Sequence, residues 1–326
     1  MFFLLSLLID IAAGATCKAL SMEGGGSHGG YEAGVIWGLV NGLSAEEVNW
    51  NVVTGISTGA LNSGAVAQFP MGQEKEMADF VVDTWTSLNG SSSVYQNWPG
   101  GLVEGLLFEY GLFDTTPLKN YLRARYVKGI NRNITVGATN FNDGKFYQFS
   151  ETEKDILEGI VCSASPPLFF PHQRYKGSVY ADGGCLVNLD YFGAVNRCKE
   201  IAEKYSDITV DLIFDNKPTE ITNKNQFTTI GVHNRVKEIQ NYDKTMWLYY
   251  RSLSYYPEVN FRYVLEPSKT LPNGKFSEVP LDFKKEDLEA EIQLGKEDAN
   301  RAIEEKQDAK LFISLAFQET REVIYP

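Results

Sequence analysis

The chain is poor in the residues that build metal centres. Its 326 residues include four cysteines, Cys17, Cys162, Cys185 and Cys198, and three histidines, His28, His172 and His233. No CxxC pair and no Cys/His cluster at zinc spacing occurs, which argues against a structural metal. Four thiols allow two disulfides in an oxidising compartment. A chain of this length buries a core without them, however, so small buried apolar side chains are their expected role. Basic residues are scarce as well, with 30 Lys and Arg against 42 Asp and Glu, for a formal net charge of −12. No basic stripe offsets this total, which excludes nucleic-acid binding and docking on an anionic membrane by bulk charge; local apolar contact with lipid stays open. Beyond the N-terminus no apolar run is long enough to span a bilayer. Hydrophobic residues at 43 % and charged residues at 22 % exclude a disordered or collagen-like chain.

The first residues, Met1-Phe2-Phe3-Leu4-Leu5-Ser6-Leu7-Leu8, form a short apolar core followed by Ala13-Gly14-Ala15. This has the layout of a secretory signal with a small-residue cleavage site, although no Lys or Arg precedes Lys18 and Asp10 interrupts the run. Residues 1–15 are therefore expected to be a signal peptide and residues 16–326 one domain, with a core over 17–215 and a mostly helical part over 216–326. The expected location is the secretory pathway or the extracellular space; otherwise the chain is cytoplasmic and peripheral to membranes. Asn89-Gly90-Ser91 reads as an exposed glycosylation sequon, and Asn133-Ile134-Thr135 as a second that opens a strand and is inaccessible.

Strand-like and helix-like segments alternate along the chain. Cys17–Met22 and Asn51–Thr54 suit buried strands, each followed by a glycine-rich turn and a helical period, Tyr31–Leu43 and Ala60–Gln68. Lys75–Leu88 is a further helix, and 91–111 reads as a long aromatic loop or partial cap. Pro117 is placed to open a helix capped by Thr115 or Thr116. Asn133–Thr139 and Lys145–Phe149 flank Asn142-Asp143-Gly144 as a hairpin. Ser150-x-x-Glu153 reads as a capping box for a helix that stops before Pro166-Pro167. Tyr175–Tyr180 reads as one strand ending at Asp182-Gly183-Gly184; a helix near 191–204, a strand at Ile208–Phe214 and a strand near Val259–Leu265 among long helices follow. The expected fold is a three-layer α/β/α arrangement on a mostly parallel sheet. In such a sheet, turns at 24–30, 55–59 and 182–184 gather at the carboxyl ends of strands.

Gly55-x-Ser57-x-Gly59 has the form of a nucleophile elbow, in which a sharp strand-to-helix turn projects a serine hydroxyl above the sheet. Read blandly, it is a helix-capping serine between turn glycines. Gly24-Gly25-Gly26 offers consecutive backbone N–H groups, free of side chains, to a developing oxyanion. The same loop also matches the dinucleotide pattern Gly24-x-Gly26-x-x-Gly29, but the required acid after a second strand is missing, since Glu46 and Glu47 precede that strand. No Gly-Lys-Ser/Thr follows, so a phosphate-binding P-loop is rejected. Asp182, backed by Gly183 and Gly184, is placed to reach Ser57 directly, although Asp-Gly-Gly alone reads as a turn. Chain order also permits a Ser–Asp–His triad through His233; His28 lies in the glycine loop and His172 beside Pro171.

These motifs together resemble the patatin-like phospholipase family of lipid acyl hydrolases. Gly24-Gly25-Gly26-Ser27-His28-Gly29 resembles its oxyanion loop, Gly55-Ile56-Ser57-Thr58-Gly59 its elbow and Asp182-Gly183-Gly184 its aspartate motif. Phe113-Asp114-Thr115-Thr116-Pro117-Leu118 and Ser163-Ala164-Ser165-Pro166-Pro167-Leu168-Phe169-Phe170-Pro171 are similar to supporting stretches, and the order agrees over about 17–215. Many members carry Arg or Lys where His28 stands. The resemblance implies a patatin-like fold and a Ser57–Asp182 dyad without catalytic histidine, cofactor or calcium. It also implies an acyl-enzyme mechanism on phospholipase A-type carboxylic esters, with membrane or micellar lipid bound peripherally. A non-catalytic lipid-binding or storage protein on the same scaffold, a Ser–His–Asp esterase and an acyltransferase are the rival readings. An acyl groove lined by Phe169, Phe170 and the aromatic 91–113 segment is the expected substrate entry, with ordinary core packing the alternative for those rings.

Overall fold

Strand residues here alternate between two apolar faces, and both faces are covered. The computed structural model describes residues 15–216, 229–272 and 281–306. The first elements are β1 (Cys17–Met22), α1 (Gly29–Gly42), α2 (Ala45–Val48), β2 (Val52–Ile56), α3 (Thr58–Ala67), α4 (Glu74–Thr86), α5 (Gly101–Leu107) and α6 (Thr116–Arg125). Then come β3 (Asn133–Asn140), β4 (Lys145–Ser150), α7 (Ile156–Ser163), β5 (Gln173–Tyr175), β6 (Ser178–Asp182) and α8 (Tyr191–Lys199). The last are β7 (Ile208–Ile213), α9 (Thr229–Tyr255), β8 (Asn260–Leu265) and α10 (Lys285–Glu304).

The eight strands form one sheet in the order β5-β6-β3-β2-β1-β7-β8, with β4 also paired to β3. Neighbours from β3 through β2, β1 and β7 to β8 run parallel. The pairs made by β4, β5 and β6 are antiparallel. Along β1 and β2, Leu20, Met22 and Val53 enter one core with residues of α1, α3, α4 and α10. Cys17, Ala19 and Val52 enter the other, with residues of α8 and α9. This period-two burial on both sides is the signature of a sheet between two helical layers. Among the described residues no helix is long and apolar enough to cross a membrane.

Several local expectations are corrected. The 91–111 segment contains α5, flanked by a short 3-10 turn at Ser91–Ser93. Leu102, Val103, Leu106 and Leu107 crowd this helix with two glycines, leaving no polar stripe from which to read a helix. The capping box at Ser150 does not open α7; Asp155 does, its carboxylate accepting from the Leu157 N–H at 3.0 Å. The strand expected at 175–180 is instead the hairpin β5–β6, turning at Lys176 and Gly177, both in the left-handed region at φ 49° and 77°. At α6 Thr115 holds the N-cap position as expected, but the accepting side chain is that of Asp114, whose Oδ1 takes both the N–H and the hydroxyl of Thr116.

Two of the four cysteines pair, correcting the expectation of four small apolar side chains. Cys17 and Cys198 form a disulfide between β1 and α8 across 181 residues, while Cys162 is buried and free and Cys185 exposed and free. Asn89 is exposed, and Asn133 opens β3. The expected signal peptide, residues 1–15, falls almost wholly outside the described residues.

Candidate active site

The site is set by how three strands meet. Strand β4 covers one edge of β3 over residues 135–140, so β2 and β6 share the other edge. Strand β2 occupies it up to the pair Ile56–Gly137, and β6 occupies it from the pair Asp182–Ala138 onward. The two strands therefore run at each other and stop nose to nose, with Ser57 following one and Asp182 ending the other. The turns at 24–30 and 55–59 follow parallel strands, as expected. Asp182 reaches the same place from the carboxyl end of β6, which runs antiparallel to β3, so all three turns lie at strand carboxyl ends.

Glycine is required here by close backbone approach. A Cβ on Gly55 would stand 2.0 Å from the Gly59 carbonyl oxygen, and one on Gly59 would stand 2.5 Å from that of Met22. With both α-carbons packed on backbone, the chain turns between them at Ser57, held at φ 52° and ψ −115°. That is the left-handed, strained conformation of an elbow. The Ser57 N–H donates to Ser163 Oγ at 2.9 Å, and Ser163 in turn donates to the Gly137 carbonyl at 2.6 Å. A Cβ on Gly183 would meet the Gly137 oxygen at 2.4 Å and Ile56 at 3.0 Å, so this glycine lets the aspartate turn settle over the end of β2. Gly184 donates its N–H to Asp182 Oδ1 at 2.8 Å.

Asp182 is buried at 6 % exposure. Burial pushes its carboxyl up to about 6, against the lowering effect of the Ser57 hydroxyl and the Gly184 N–H. Its Oδ2 accepts no hydrogen bond of ordinary geometry, so the Ser57 hydroxyl stands close by without a fully formed bond. Such loose contacts are usual before substrate tightens them.

The glycine loop lies on the other side of Ser57. A Cβ on Gly24 would meet Ser57 Cβ at 3.0 Å, and one on Gly25 would overlap Asp215 Oδ2 at 2.4 Å. The Gly24 N–H donates to the Asn188 carbonyl at 3.0 Å, so it is committed to the protein. Among the described residues the N–H groups of Gly25 and Gly26 donate to no protein acceptor. Gly26 takes φ 64°, which glycine adopts without strain.

Carboxyl groups crowd beneath this loop. Glu23, fully buried, is raised to about 7 even though it accepts from the Asn188 carboxamide and from the N–H groups of Asp215 and Asn216. Burial also lifts Glu32, Asp215 and Glu291 well above the usual carboxylate range, with mutual repulsion adding to the effect at Asp215. Burial thus disfavours negative charge on this group beside the glycine loop. No group of three or more His, Cys, Asp or Glu among the described residues is arranged to hold a metal ion.

The remaining candidates lie apart. His172 packs against Tyr110 with the rings tilted and their centroids 4.3 Å apart, and burial with Arg174 nearby lowers its pKa. His28 is buried in the 3-10 turn that opens the glycine loop. His233 falls within α9, its side chain outside the described residues. Phe170 is buried, and Tyr95 packs against it and Phe113, so these rings belong to the core. Sequence reasoning missed Glu23, Ser163, Asn188 and Asn216, whose places emerge only once distant segments are folded together.

In structure the chain is similar to VipD from Legionella pneumophila, at 14 % identity and a TM-score of 0.42, over 90 % of this chain and 68 % of that one. No curated protein matches it. The profile of the patatin-like phospholipase family matches residues 20–195, from β1 through the elbow and the aspartate turn into α8. With more than half of its length matched, the chain belongs to the patatin-like phospholipase family.

Proposed function

We propose that this protein is a lipid acyl hydrolase that cleaves carboxylic esters through a Ser57–Asp182 dyad. The observation that carries the reading is the nose-to-nose meeting of β2 and β6, which sets the Ser57 hydroxyl beside a desolvated carboxylate. Ser57 Oγ attacks the ester carbonyl carbon while its proton passes to Asp182. The N–H groups of Gly25 and Gly26 receive the oxyanion, aided by the positive N-terminal end of α3, whose N-cap is Ser57. As the carbon–oxygen bond to the alcohol or lysolipid breaks, Asp182 returns the proton to the leaving oxygen. Water then adds to the acyl-serine with Asp182 again as base, releasing the fatty acid and restoring the serine. A carboxylate at its ordinary pKa is a weak base at neutral pH, and the rise to about 6 brings Asp182 nearer its task. Calcium has no part in this scheme, and EDTA is expected to leave the rate unchanged.

The apolar surface of α5 supports peripheral contact with lipid. Leu106, Leu107 and Phe108 are 64 %, 65 % and 77 % exposed, with Val103, Tyr110 and Leu168 also open to solvent. The backbone joins this surface to the aspartate turn: Leu112 and Phe113 donate to Leu168 and Phe169, and Asp182 donates to Ser165. For location, the Cys17–Cys198 disulfide supports the oxidising secretory pathway.

The test is hydrolysis of a chromogenic fatty-acyl ester by the wild type, Ser57→Ala and Asp182→Asn, with fluorophosphonate labelling of Ser57. Turnover and labelling by the wild type, loss of both in Ser57→Ala, and a fall of about 10²–10⁴-fold in Asp182→Asn are expected. Full activity in either variant removes the dyad. A wild type that neither turns over nor labels is a binder instead.

A further inference from the structure

We propose that Asn188 and Asn216 are positioning residues, whose carboxamides clamp the Gly24 carbonyl and thereby aim the Gly25 N–H as an oxyanion donor. The inference rests on the Ser57–Asp182 reading and adds two residues to it. The Gly24 carbonyl oxygen accepts from Asn188 Nδ2 at 2.8 Å and from Asn216 Nδ2 at 2.9 Å. Asn188 Nδ2 also donates to Glu23 Oε1 at 2.9 Å, so two acceptors fix the nitrogen, rather than the oxygen, on that side of its carboxamide. The Asn188 carbonyl takes the Gly24 N–H, closing a second contact between the same two residues.

The consequence follows from peptide geometry. The Gly24 carbonyl and the Gly25 N–H belong to one planar trans unit and point in opposite directions. That unit lies between two glycines, where the plane turns over with little steric resistance. Two donors on the carbonyl hold it in one orientation, and the N–H at its opposite edge then points away from both carboxamides. Hydrogen bonding at the carbonyl also polarises the unit and strengthens its N–H as a donor. Asn188 reaches the other half of the site too. Its Oδ1 lies 2.6 Å from where a Cβ would stand on Gly24 and 2.6 Å from where one would stand on Gly184, so a single side chain spaces the glycine loop from the aspartate turn.

Asn188→Asp keeps the size of the side chain and removes its donor; Asn216→Ala removes the other donor. The measurements are kcat and KM on a soluble short-chain nitrophenyl ester, inhibition by a trifluoromethyl ketone that forms a tetrahedral adduct with serine, inhibition by a non-hydrolysable ether analogue, and thermal melting. Each variant is expected to lose about 10- to 100-fold in kcat with KM within about twofold. The trifluoromethyl ketone weakens in step with kcat, while the ether analogue binds as before, because only the tetrahedral species uses the donor. The double variant loses no more than a missing oxyanion donor, about 10²–10³-fold. Should Asn188→Asp fail to fold, Asn216→Ala carries the test alone. Unchanged kcat in the folded variants overturns the clamp and leaves the dyad standing, as does parallel weakening of both inhibitors, the mark of a merely structural role. A wild type without turnover or labelling removes the dyad and the clamp together.

Discussion

Ser57 and Asp182 stand at the facing ends of two strands that share one edge of β3, where β2 stops with Ile56 opposite Gly137 and β6 stops with Asp182 opposite Ala138. Neither residue has to extend across an intervening strand to find the other. The arrangement also buries the acid, because the elbow, the aspartate turn and the glycine loop close around it. Proximity and desolvation, the two properties a carboxylate needs to act as base to a serine, thus come from one feature of strand pairing.

In the proposed mechanism, burial sets the pH at which Asp182 works as base. Asp182 is raised to about 6, and a base accepts a proton only when ionised, so activity is present above this value and lost below it. The expected profile of kcat/KM is level above about pH 7, bends near 6 and falls tenfold for each further pH unit. Glu23, lifted to about 7, titrates close by. Glu23→Gln should therefore retain the bend near 6. A level profile from pH 5 to 8 on a soluble ester would show that Asp182 is not the base.

Gly183 tests whether the facing ends matter as a geometry. A methyl group there would stand 2.4 Å from the Gly137 carbonyl oxygen, which is backbone and yields little. Gly183→Ala should push the aspartate turn off β2. The expected result is about 1–3 kcal/mol of lost stability by denaturant titration, together with a fall in kcat larger than the change in KM. An alanine variant with wild-type kcat would mean that the turn tolerates displacement.

Much of this site is legible along the chain because its glycines answer to local needs. Gly55 must clear the backbone of Gly59 and Gly59 the end of β1, and the spacing GxSxG records that requirement. The direction of β6 is not legible. It depends on a two-residue turn at Lys176-Gly177, where a lysine takes φ 49°, and Lys-Gly lacks the asparagine or aspartate that usually announces such a turn. Asn188 and Asn216 are equally silent: an asparagine in a loop is ordinary, and only the folded chain brings both carboxamides to one carbonyl. The disulfide pairing is hidden by the sequence separation of 181 between its halves.

That disulfide should be structural rather than catalytic. Cys17 and Cys198 are both buried and tie the start of β1 to α8, remote along their elements from Ser57. Closing so long a loop restricts the unfolded chain, and its removal is expected to cost about 2–5 kcal/mol. The double variant Cys17→Ala, Cys198→Ala should melt at a lower temperature and, below that melt, label at Ser57 as the wild type does. Loss of labelling in folded variant protein would show that the bond shapes the site.

The surface of α5 leads to a prediction about which lipids the protein meets. Exposed Leu, Val and Phe side chains gathered on one short helix are costly in water unless something covers them. The charges beside them along the chain are acidic, Glu104 and Glu109, and no Lys or Arg occurs between Lys75 and Lys119. A zwitterionic bilayer accepts such a surface, whereas an anionic one repels both these acids and the chain's net charge of −12. In flotation the protein should therefore rise with phosphatidylcholine vesicles and less with vesicles enriched in phosphatidylserine. Leu106→Glu with Leu107→Glu should abolish flotation and activity on vesicles while sparing hydrolysis of a soluble short-chain ester, since both side chains point into solvent. Flotation by the variant at the wild-type level would remove α5 as the contact. A wild-type dimer that the variant dissolves, without any vesicle binding, would assign the surface to a second copy of the chain.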